Sequence, residues 1–438
     1  MNTKKIFIII FLVAFLIRLA ALLSFEEEKS LIYISDSLTY LQVAENLIEH
    51  QVYSMEISDT PHADNFRTPL YPIFLVPFVW LETSLYAPAI AQLLIVSAAI
   101  ALFFLLARKI FSEKVSIIAT TLFALEPFGA LIESQIMTES IFILFFGSSI
   151  LLLTLYIKDK KLKHLVIASA AMALAGLTRP IAFYLFILIP FAVLLSYGIK
   201  NIKWKQIGLG LLIFFVISSP WLIFTTFKLH SLTVSSIPSM QVYEYHATMF
   251  DEWRQTRGAK KDDLLPEVNL DPVNNTFDAR AIGPIKEVGI EYIKSHAFEY
   301  VLFHTTRIPQ LFNRSGYENI LNGVGFLNFY HDSTDREVSN SWFEKIKNQP
   351  AFLFIAIADL FFIIITLLAL VNPFLYNKLN KKFRKEIIFL IVLIILYSII
   401  ASPIASIRFR IPINIILFLL AFDSIAMLNK IYKIKKYD

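Results

Sequence analysis

The stretch IFIIIFLVAFLIRLAALLSF, residues 6–25, decides the fold class, because it is long and apolar enough to cross a lipid bilayer. A membrane-spanning helix needs about 20 mostly apolar residues, since each unpaired backbone group in hydrocarbon costs several kcal/mol. Lys4 and Lys5 precede the stretch and three glutamates follow it, without the small-residue cleavage site of a secretory signal. We therefore expect an uncleaved first transmembrane helix.

The rest of the chain repeats this pattern. Hydrophobic residues fill 56% of the 438 positions and the mean hydropathy is +0.62, which is typical of a membrane protein. The chain has no cysteine, so it forms neither disulfides nor thiolate metal sites. The apolar runs predict an all-α polytopic protein with about ten transmembrane helices, at residues 6–25, 85–107, 114–132, 138–157, 164–179, 181–198, 206–226, 351–372, 386–402 and 411–429.

Basic residues predict which loops face the cytoplasm. About half of the 40 lysines and arginines gather in six clusters beside apolar runs, at residues 4–5, 108–114, 158–163, 200–205, 378–385 and 430–436. By the positive-inside rule these clusters and both termini are cytoplasmic. This distribution accounts for the net charge of +5 without nucleic acid as a partner.

Three long or charged connections then face outward, at residues 26–84, 133–139 and 228–350, with a short turn at 402–410. We expect juxtamembrane helices on this face, and an amphipathic helix within residues 278–312. The predicted organisation is a transmembrane catalytic module, residues 1–227, a small external α-rich domain, residues 228–350, and a C-terminal transmembrane part, residues 351–438.

Two outer carboxylates are candidates for chemistry. Asp36 stands where helical spacing begins, so it could be a helix N-cap or a catalytic group. Glu139 opens the fourth predicted span, where a carboxylate needs a partner or a watery cavity unless it only caps the helix. His62 and Asp64 could bind a metal, but two ligands without a third are usually loop polarity, so no metal site is predicted.

Four arginines share the outer face: Arg67 beside a Pro-x-x-Pro turn, Arg179 at the end of a short span, and Arg408 and Arg410 before the last span. Single arginines here could merely extend to the interface. Several on one surface favour an anionic substrate, since guanidinium matches phosphate geometry bidentately. Other charges lie within predicted spans and are candidates for ion pairs between helices: Arg18, Asp359 and Asp423.

The outer motifs resemble the GT-C membrane glycosyltransferases, most closely family 39, which includes protein O-mannosyltransferases and bacterial aminoarabinose transferases of lipid A. The motifs that carry the resemblance are SDSLTYLQVAENL at 35–47, RTPLYP at 67–72, MTES at 137–140, LTRP at 177–180, SPW at 219–221 and RFRIP at 408–412. One departure is that family members often have Arg-Asn after Pro-Trp, whereas this chain continues with LIFT at 222–225.

The resemblance implies an enzyme of the bacterial inner membrane that moves a sugar, with inversion, from a polyprenyl-phosphate donor to a lipid, glycan or protein acceptor outside. Asp36 would be the general base and Glu139 would support it or position the acceptor. The remaining assignments place the donor phosphate at Arg67, Arg179, Arg408 and Arg410, and substrate positioning at Tyr40 and Tyr71. No cofactor is expected, and the metal requirement, the sugar and any modified lipopolysaccharide stay open.

Two other functions fit a polytopic protein. A transporter or flippase would usually show repeat symmetry and polar, broken helices near the bilayer midplane, whereas the charges here concentrate at one face. An O-antigen-type polymerase or ligase of lipid-linked glycans is the second alternative.

Overall fold

The computed structural model describes residues 2–25, 27–32, 34–260, 263–266, 279–317, 351–379 and 384–437. Every regular element in these ranges is a helix, as predicted. The α-helices are α1 Thr3–Leu23, α2 Ile34–Glu49, α3 Leu70–Trp80, α4 Tyr86–Ala107, α5 Glu113–Leu125, α6 Pro127–Glu133, α7 Glu139–Asp159, α8 Leu162–Thr178, α9 Pro180–Tyr184, α10 Leu188–Tyr197, α11 Trp204–Leu229, α12 Ile237–Gln241, α13 Thr248–Gln255, α14 Ala279–Ser295, α15 Ala297–Arg307, α16 Ala351–Lys378, α17 Lys385–Ala401 and α18 Ile407–Tyr437. Short 3₁₀ turns and one π-helical turn, Val242–Ala247, complete the set in these ranges.

Length and apolar composition identify the helices that can cross a membrane. Within the described ranges, seven helical segments are long and apolar enough to span a bilayer, or eight if the bent pair α5 and α6 counts as one span. Each of the ten predicted spans coincides with a helix or helix pair. Two of these helices, α8 and α17, are not among the eight, because each has 17 residues, which is about 25 Å of helix. The count of ten therefore stays a prediction.

Burial shows which helices lie at the centre of the bundle. In α1, the buried residues recur at every fourth position from Ile6 to Leu22. This stripe packs against the neighbouring helices, and the remaining surface of α1 faces away from the bundle. In α7, by contrast, 89% of the apolar window is buried, and in α18 the share is 72%. The N-termini of these two central helices carry Glu139 and Arg408.

Two prolines break helices near this end of the bundle. Glu126 precedes Pro127 and adopts an extended backbone, and α5 and α6 meet there at 56°. Arg179 precedes Pro180 and is extended as well, which separates α8 from α9. A residue before proline avoids the helical region because of the ring, so both breaks follow from the sequence.

The basic clusters meet at the opposite end of the bundle, which we call the basic end. There Arg108 donates a hydrogen bond to Thr3 Oγ1 and Lys158 donates one to the carbonyl of Lys109. Arg384 Nη2 lies 2.8 Å from the carbonyl oxygen of Ile110. The clusters from separate loops thus share one end, as the charge pattern predicts.

The described part of the external connection is helical. Helices α13, α14 and α15 enclose a small core of Ala247, Phe250, Tyr292 and Phe303. The amphipathic helix predicted within residues 278–312 is divided into α14 and α15, and α15 exposes the apolar residues Phe298, Val301 and Leu302. Residues 318–350 of the predicted external domain lie outside the described residues.

Candidate active site

Asp36 lies between two arginines at the end of the bundle away from the basic end. Helix α2 begins at Ile34, so Asp36 occupies its first turn and does not cap it. Its Oδ1 accepts a hydrogen bond from Arg67 Nη2 at 2.6 Å, and its Oδ2 accepts one from Arg408 Nη1 at 2.9 Å. Burial opposes ionisation, but the two guanidinium groups outweigh it and lower the pKa of Asp36 to about 2.

Glu139 is the second carboxylate, and it is fully buried at the first residue of α7. Its Oε1 accepts hydrogen bonds from Arg179 Nη1 at 3.0 Å and from Arg408 Nε. Arg408 therefore joins both carboxylates through different nitrogens. We call these five residues the charged cluster: Asp36, Arg67, Glu139, Arg179 and Arg408.

Hydrogen bonds to the main chain hold two arginines of the charged cluster side by side. Thr68 Oγ1 donates to the carbonyl of Thr178 at 2.7 Å, which links the residue after Arg67 to the residue before Arg179. Tyr53 donates its hydroxyl to the carbonyl of Arg67 at 3.0 Å. The arginine motifs are thus joined to each other by their own threonines.

The Ser-Pro-Trp motif supports the loop that carries Tyr53 and Arg67. Trp221 lies in α11, and its ring packs edge-on against Tyr53 with centroids 4.7 Å apart. Its Nε1 donates to the carbonyl of Val234 at 2.8 Å. The motif therefore acts on Arg67 through Tyr53.

Tyr40 and Tyr71, which were predicted to position the substrate, lie at different distances from Arg67. Tyr40 lies under Arg67, whose guanidinium carbon is 4.6 Å from the ring centroid. Tyr71 is fully buried behind Tyr40 and donates to Gln92 Oε1 at 3.0 Å. Gln92 in turn donates to the carbonyl of Glu133 at 3.0 Å, at the end of α6 and shortly before Glu139. Both tyrosines are buried, with Tyr40 5% and Tyr71 0% exposed, so each can position other residues of the site.

Arg410 is not part of the charged cluster. It is 1% exposed, its guanidinium carbon lies 3.7 Å from the Phe362 ring centroid, and it donates to the carbonyls of Leu311 and Arg314. These contacts tie α18 to α16 and to the external connection. Its placement gives no support to the predicted role in phosphate binding.

The other sequence candidates have separate partners. Arg18 forms a buried ion pair with Glu133. Asp359 accepts from the backbone N–H of Ser315 and Asp423 from the hydroxyl of Tyr376. His62 lies against Glu56, while Asp64 accepts two backbone N–H bonds, and no group of three potential metal ligands occurs among the described residues.

Two site residues were missed by the sequence reasoning. Thr39, one turn after Asp36, accepts from Arg67 Nε at 2.8 Å and so fixes the direction of that guanidinium. The spacing of three residues on a helix could have indicated this contact. Gln92 gave no such signal, because a single amide in an apolar span has no pattern that names its partner.

The comparison with known proteins begins with the central part of the chain. Residues 67–224, which include Arg67, Glu139 and Arg179, match the family model described as dolichyl-phosphate-mannose-protein mannosyltransferase. The crystal structure of the apo oligosaccharyltransferase of Archaeoglobus fulgidus aligns over 99% of this chain and 52% of its own, with a TM-score of 0.52 and 13% identity. The fold is a GT-C fold.

A second GT-C structure agrees with the first. The archaeal oligosaccharyltransferase AglB of Archaeoglobus fulgidus, in complex with an inhibitory peptide and a dolichol-phosphate, covers 99% of this chain and 51% of its own, with a TM-score of 0.50 and 15% identity. The chain spans about half the length of these oligosaccharyltransferases. Comparison with curated proteins gives no significant match.

The GT-C fold explains why the charged cluster draws on distant parts of the sequence. Asp36 precedes the segment that matches the family model and Arg408 follows it by far. Arg408 reaches Glu139 because α7 and α18 lie together at the centre and begin at the same end, and Asp36, on α2, is joined to Glu139 through Arg408. Three cations around two carboxylates leave a positive excess in a largely buried setting, which is suited to binding an anion.

Proposed function

We propose that this multi-pass membrane protein is a glycosyltransferase that moves a sugar from a polyprenyl-phosphate donor to a lipid, glycan or protein acceptor. The reaction takes place at the outer face of the bacterial inner membrane, with both termini and the basic end in the cytoplasm. The charged cluster carries the proposal, because it joins two carboxylates and three arginines at the end of the bundle opposite the basic end.

The similarities support a lipid-linked donor. The matching family model is described by a dolichyl-phosphate sugar, and one GT-C structure holds a dolichol-phosphate. A donor of this kind can keep its hydrocarbon chain in the bilayer while its phosphate reaches the arginines at the interface. The helix ends that carry Glu139 and Arg408 lie at that level in the proposed topology.

The proposed reaction is a single displacement. The acceptor oxygen forms a bond to the anomeric carbon of the sugar while the bond from that carbon to the phosphate oxygen breaks. Asp36 takes the acceptor proton, and the phosphate leaves with the bonding electron pair. No acid is needed for this leaving group, because Arg67, Arg179 and Arg408 stabilise the charge that develops on it. Glu139 fixes Arg179 and Arg408 for this task.

Charge balance favours a monophosphate donor over a diphosphate donor. The charged cluster has one positive charge in excess, which matches the single negative charge of a phosphodiester. After transfer, protonated Asp36 leaves the cluster with two positive charges in excess, and the leaving phosphate monoester carries up to two negative charges. A diphosphate-linked sugar would leave the site with an unbalanced negative charge before and after the reaction.

Donor binding also changes the strength of the base. With its pKa at about 2, Asp36 accepts a proton poorly while both arginines contact it. A bound phosphate competes for Arg67 and Arg408, which weakens the interactions that lower the pKa of Asp36. In the proposed cycle Asp36 becomes an effective base only when the donor is in place, so the carboxylate is held inactive between turnovers.

The test uses purified protein in lipid nanodiscs with a panel of polyprenyl-phosphate sugars and hydroxyl acceptors. We expect a new glycosidic product from the wild type and none from Asp36→Asn, while Asp59→Asn, an exposed aspartate of the same loop, keeps wild-type turnover. Full turnover by Asp36→Asn would refute the base assignment. Accumulation of the donor in sealed vesicles without a glycosidic product would favour transport instead.

A further inference from the structure

The connection between α10 and α11, residues 198–203, lies at the surface of the bilayer on the basic end. The segments Pro180–Tyr197 and Trp204–Leu229 are each long and apolar enough to span a membrane, so their neighbouring ends mark the level of the lipid headgroups. Tyr197 is the last residue of α10 and Trp204 is the first of α11. The charged cluster lies at the other end of the bundle, so a ligand bound here is separate from the proposed reaction.

Lysines from three loops meet at the last turn of α10. The Nζ atom of Lys160, in the loop between α7 and α8, lies 4.8 Å from the centroid of the Tyr197 ring, and Nζ of Lys203 lies 5.6 Å from the same centroid. Lys385 begins α17, and its Nζ lies 3.4 Å from the carbonyl oxygen of Ser196. The face of a tyrosine ring and the last carbonyls of a helix both attract cations. We call Lys160, Lys203, Lys385 and Tyr197 the lysine site.

The charges of the lysine site are not neutralised within the described ranges. Lys161 pairs with Asp159 at 3.4 Å, whereas neither Lys160 nor Lys203 forms an ion pair with an acidic side chain among the described residues. Both lysines are exposed, and two like charges held against one ring repel each other. An anion that lies beside both ammonium groups replaces this repulsion by attraction, so the lysine site favours an anionic ligand.

An exposed stripe runs along α11 from the residue that follows Lys203. Its members recur at every fourth position and therefore lie on one side of the helix: Trp204, Gly208, Leu212 and Val216. A Cβ added at Gly208 would meet nothing within 4 Å, whereas one added at Gly210 would lie 2.6 Å from a side chain of α10. The Gly210 side of α11 thus packs in the bundle, and the Gly208 side faces lipid with a notch between Trp204 and Leu212.

We propose that the lysine site binds the headgroup of an anionic phospholipid in the leaflet at the basic end, with an acyl chain along the stripe on α11. The headgroup phosphate contacts the ammonium groups of Lys160 and Lys203, as in other basic pockets between membrane helices. Trp204 lies at the boundary between headgroup and acyl chain, where tryptophan is enriched. The stripe favours a lipid over free phosphate, because a free anion gains nothing from an apolar surface.

The test titrates dioleoyl phosphatidylglycerol into full-length protein in a neutral detergent and measures bound lipid by native mass spectrometry. We expect Lys160→Gln and Lys203→Gln each to weaken binding about fivefold, and the double variant about thirtyfold. Lys160→Arg combined with Lys203→Arg keeps both charges and should stay within about twofold of wild type. The matched control is Lys161→Gln combined with Lys163→Gln, two exposed lysines of the same loop as Lys160, and it should also stay within about twofold.

Two further probes distinguish the possible sources of the phosphate group. Dioleoyl phosphatidylcholine, which has the same chains and no net charge, should bind about tenfold more weakly, and inorganic phosphate in large excess should not displace phosphatidylglycerol. Displacement by inorganic phosphate, equal binding of the two lipids, or unchanged binding in the double Gln variant would each overturn the inference.

An equal loss in the control variant would do the same, because it would assign the binding to the overall charge of the basic end. The measurement requires no sugar transfer. Failure of this inference therefore leaves the proposed function standing, and a protein without transfer activity leaves the lysine site standing.

Discussion

Replacing Asp36 by Asn should tighten the binding of polyprenyl phosphate while it abolishes transfer. Asp36 and a donor phosphate compete for Arg67 and Arg408, so the loss of the carboxylate charge leaves both arginines more available. Asparagine keeps the size of the side chain and one acceptor oxygen. The change therefore tests charge with little change in packing.

The size of the effect follows from the pKa of Asp36. Its decrease from 3.8 to about 2 corresponds to roughly 2 kcal/mol of net stabilisation of the carboxylate by its surroundings. If phosphate had to displace that interaction completely, its loss would tighten binding roughly thirtyfold. Because the phosphate shares the arginines with Asp36, we expect about tenfold.

The assay is a titration of undecaprenyl phosphate into wild type, Asp36→Asn and Asp59→Asn in nanodiscs. Asp36 has its pKa below its ordinary value, so it is ionised throughout ordinary assay conditions and the difference between the proteins should stay flat between about pH 6 and 8. Binding that is weaker in Asp36→Asn, or equal to that of Asp59→Asn, would refute the competition between carboxylate and phosphate.

Three further predictions concern Arg408, Glu139 and Gly129. Arg408→Lys should lower kcat by about 100-fold with a folded protein, because an ammonium group cannot reach Asp36 and Glu139 through two nitrogens at once; a kcat near wild type contradicts this. Glu139→Gln should destabilise the protein by about 3 kcal/mol in thermal melts, since two buried arginines lose their shared carboxylate; an unchanged melting temperature argues against the pairing. Gly129→Ala should lower the free energy of unfolding by about 1–3 kcal/mol, because its Cβ would lie 2.7 Å from Glu126 Oε2 and 3.3 Å from Glu133 Oε1. The control Gly208→Ala should leave the free energy of unfolding unchanged, because a Cβ there meets open space.

The sequence predicts the helices and the shared end of the arginines well, because hydrophobicity and charge act over whole segments. It places helix ends less well, and this explains the result for Arg410. The last span was expected to begin at residue 411, which left Arg408 and Arg410 together in a loop. Helix α18 begins at Ile407, and residues two apart on a helix point to different sides, so only Arg408 faces the carboxylates.

The helix boundary also decides the position of Asp36. A helix end read from sequence can differ by one or two residues from the end in the structure. Because α2 begins at Ile34, Asp36 lies inside the helix instead of capping it, and its carboxylate is directed at two arginines. One of the two arginine partners of Glu139 lies 269 positions away at Arg408. Local patterns name both carboxylates as candidates, but only the packing of α7 against α18 brings them to one guanidinium.

Arg408 contacts Asp36 across 372 positions of sequence, and this separation has a consequence for biogenesis. During synthesis, residues 1–406 leave the ribosome before α18 does. Of the ion pairs among the described residues, Glu139 can until then form the one with Arg179, and Asp36 the one with Arg67. Insertion of α18 therefore both assembles the charged cluster and stabilises the central bundle, so under the proposed function a nascent chain is inactive before α18 is in place.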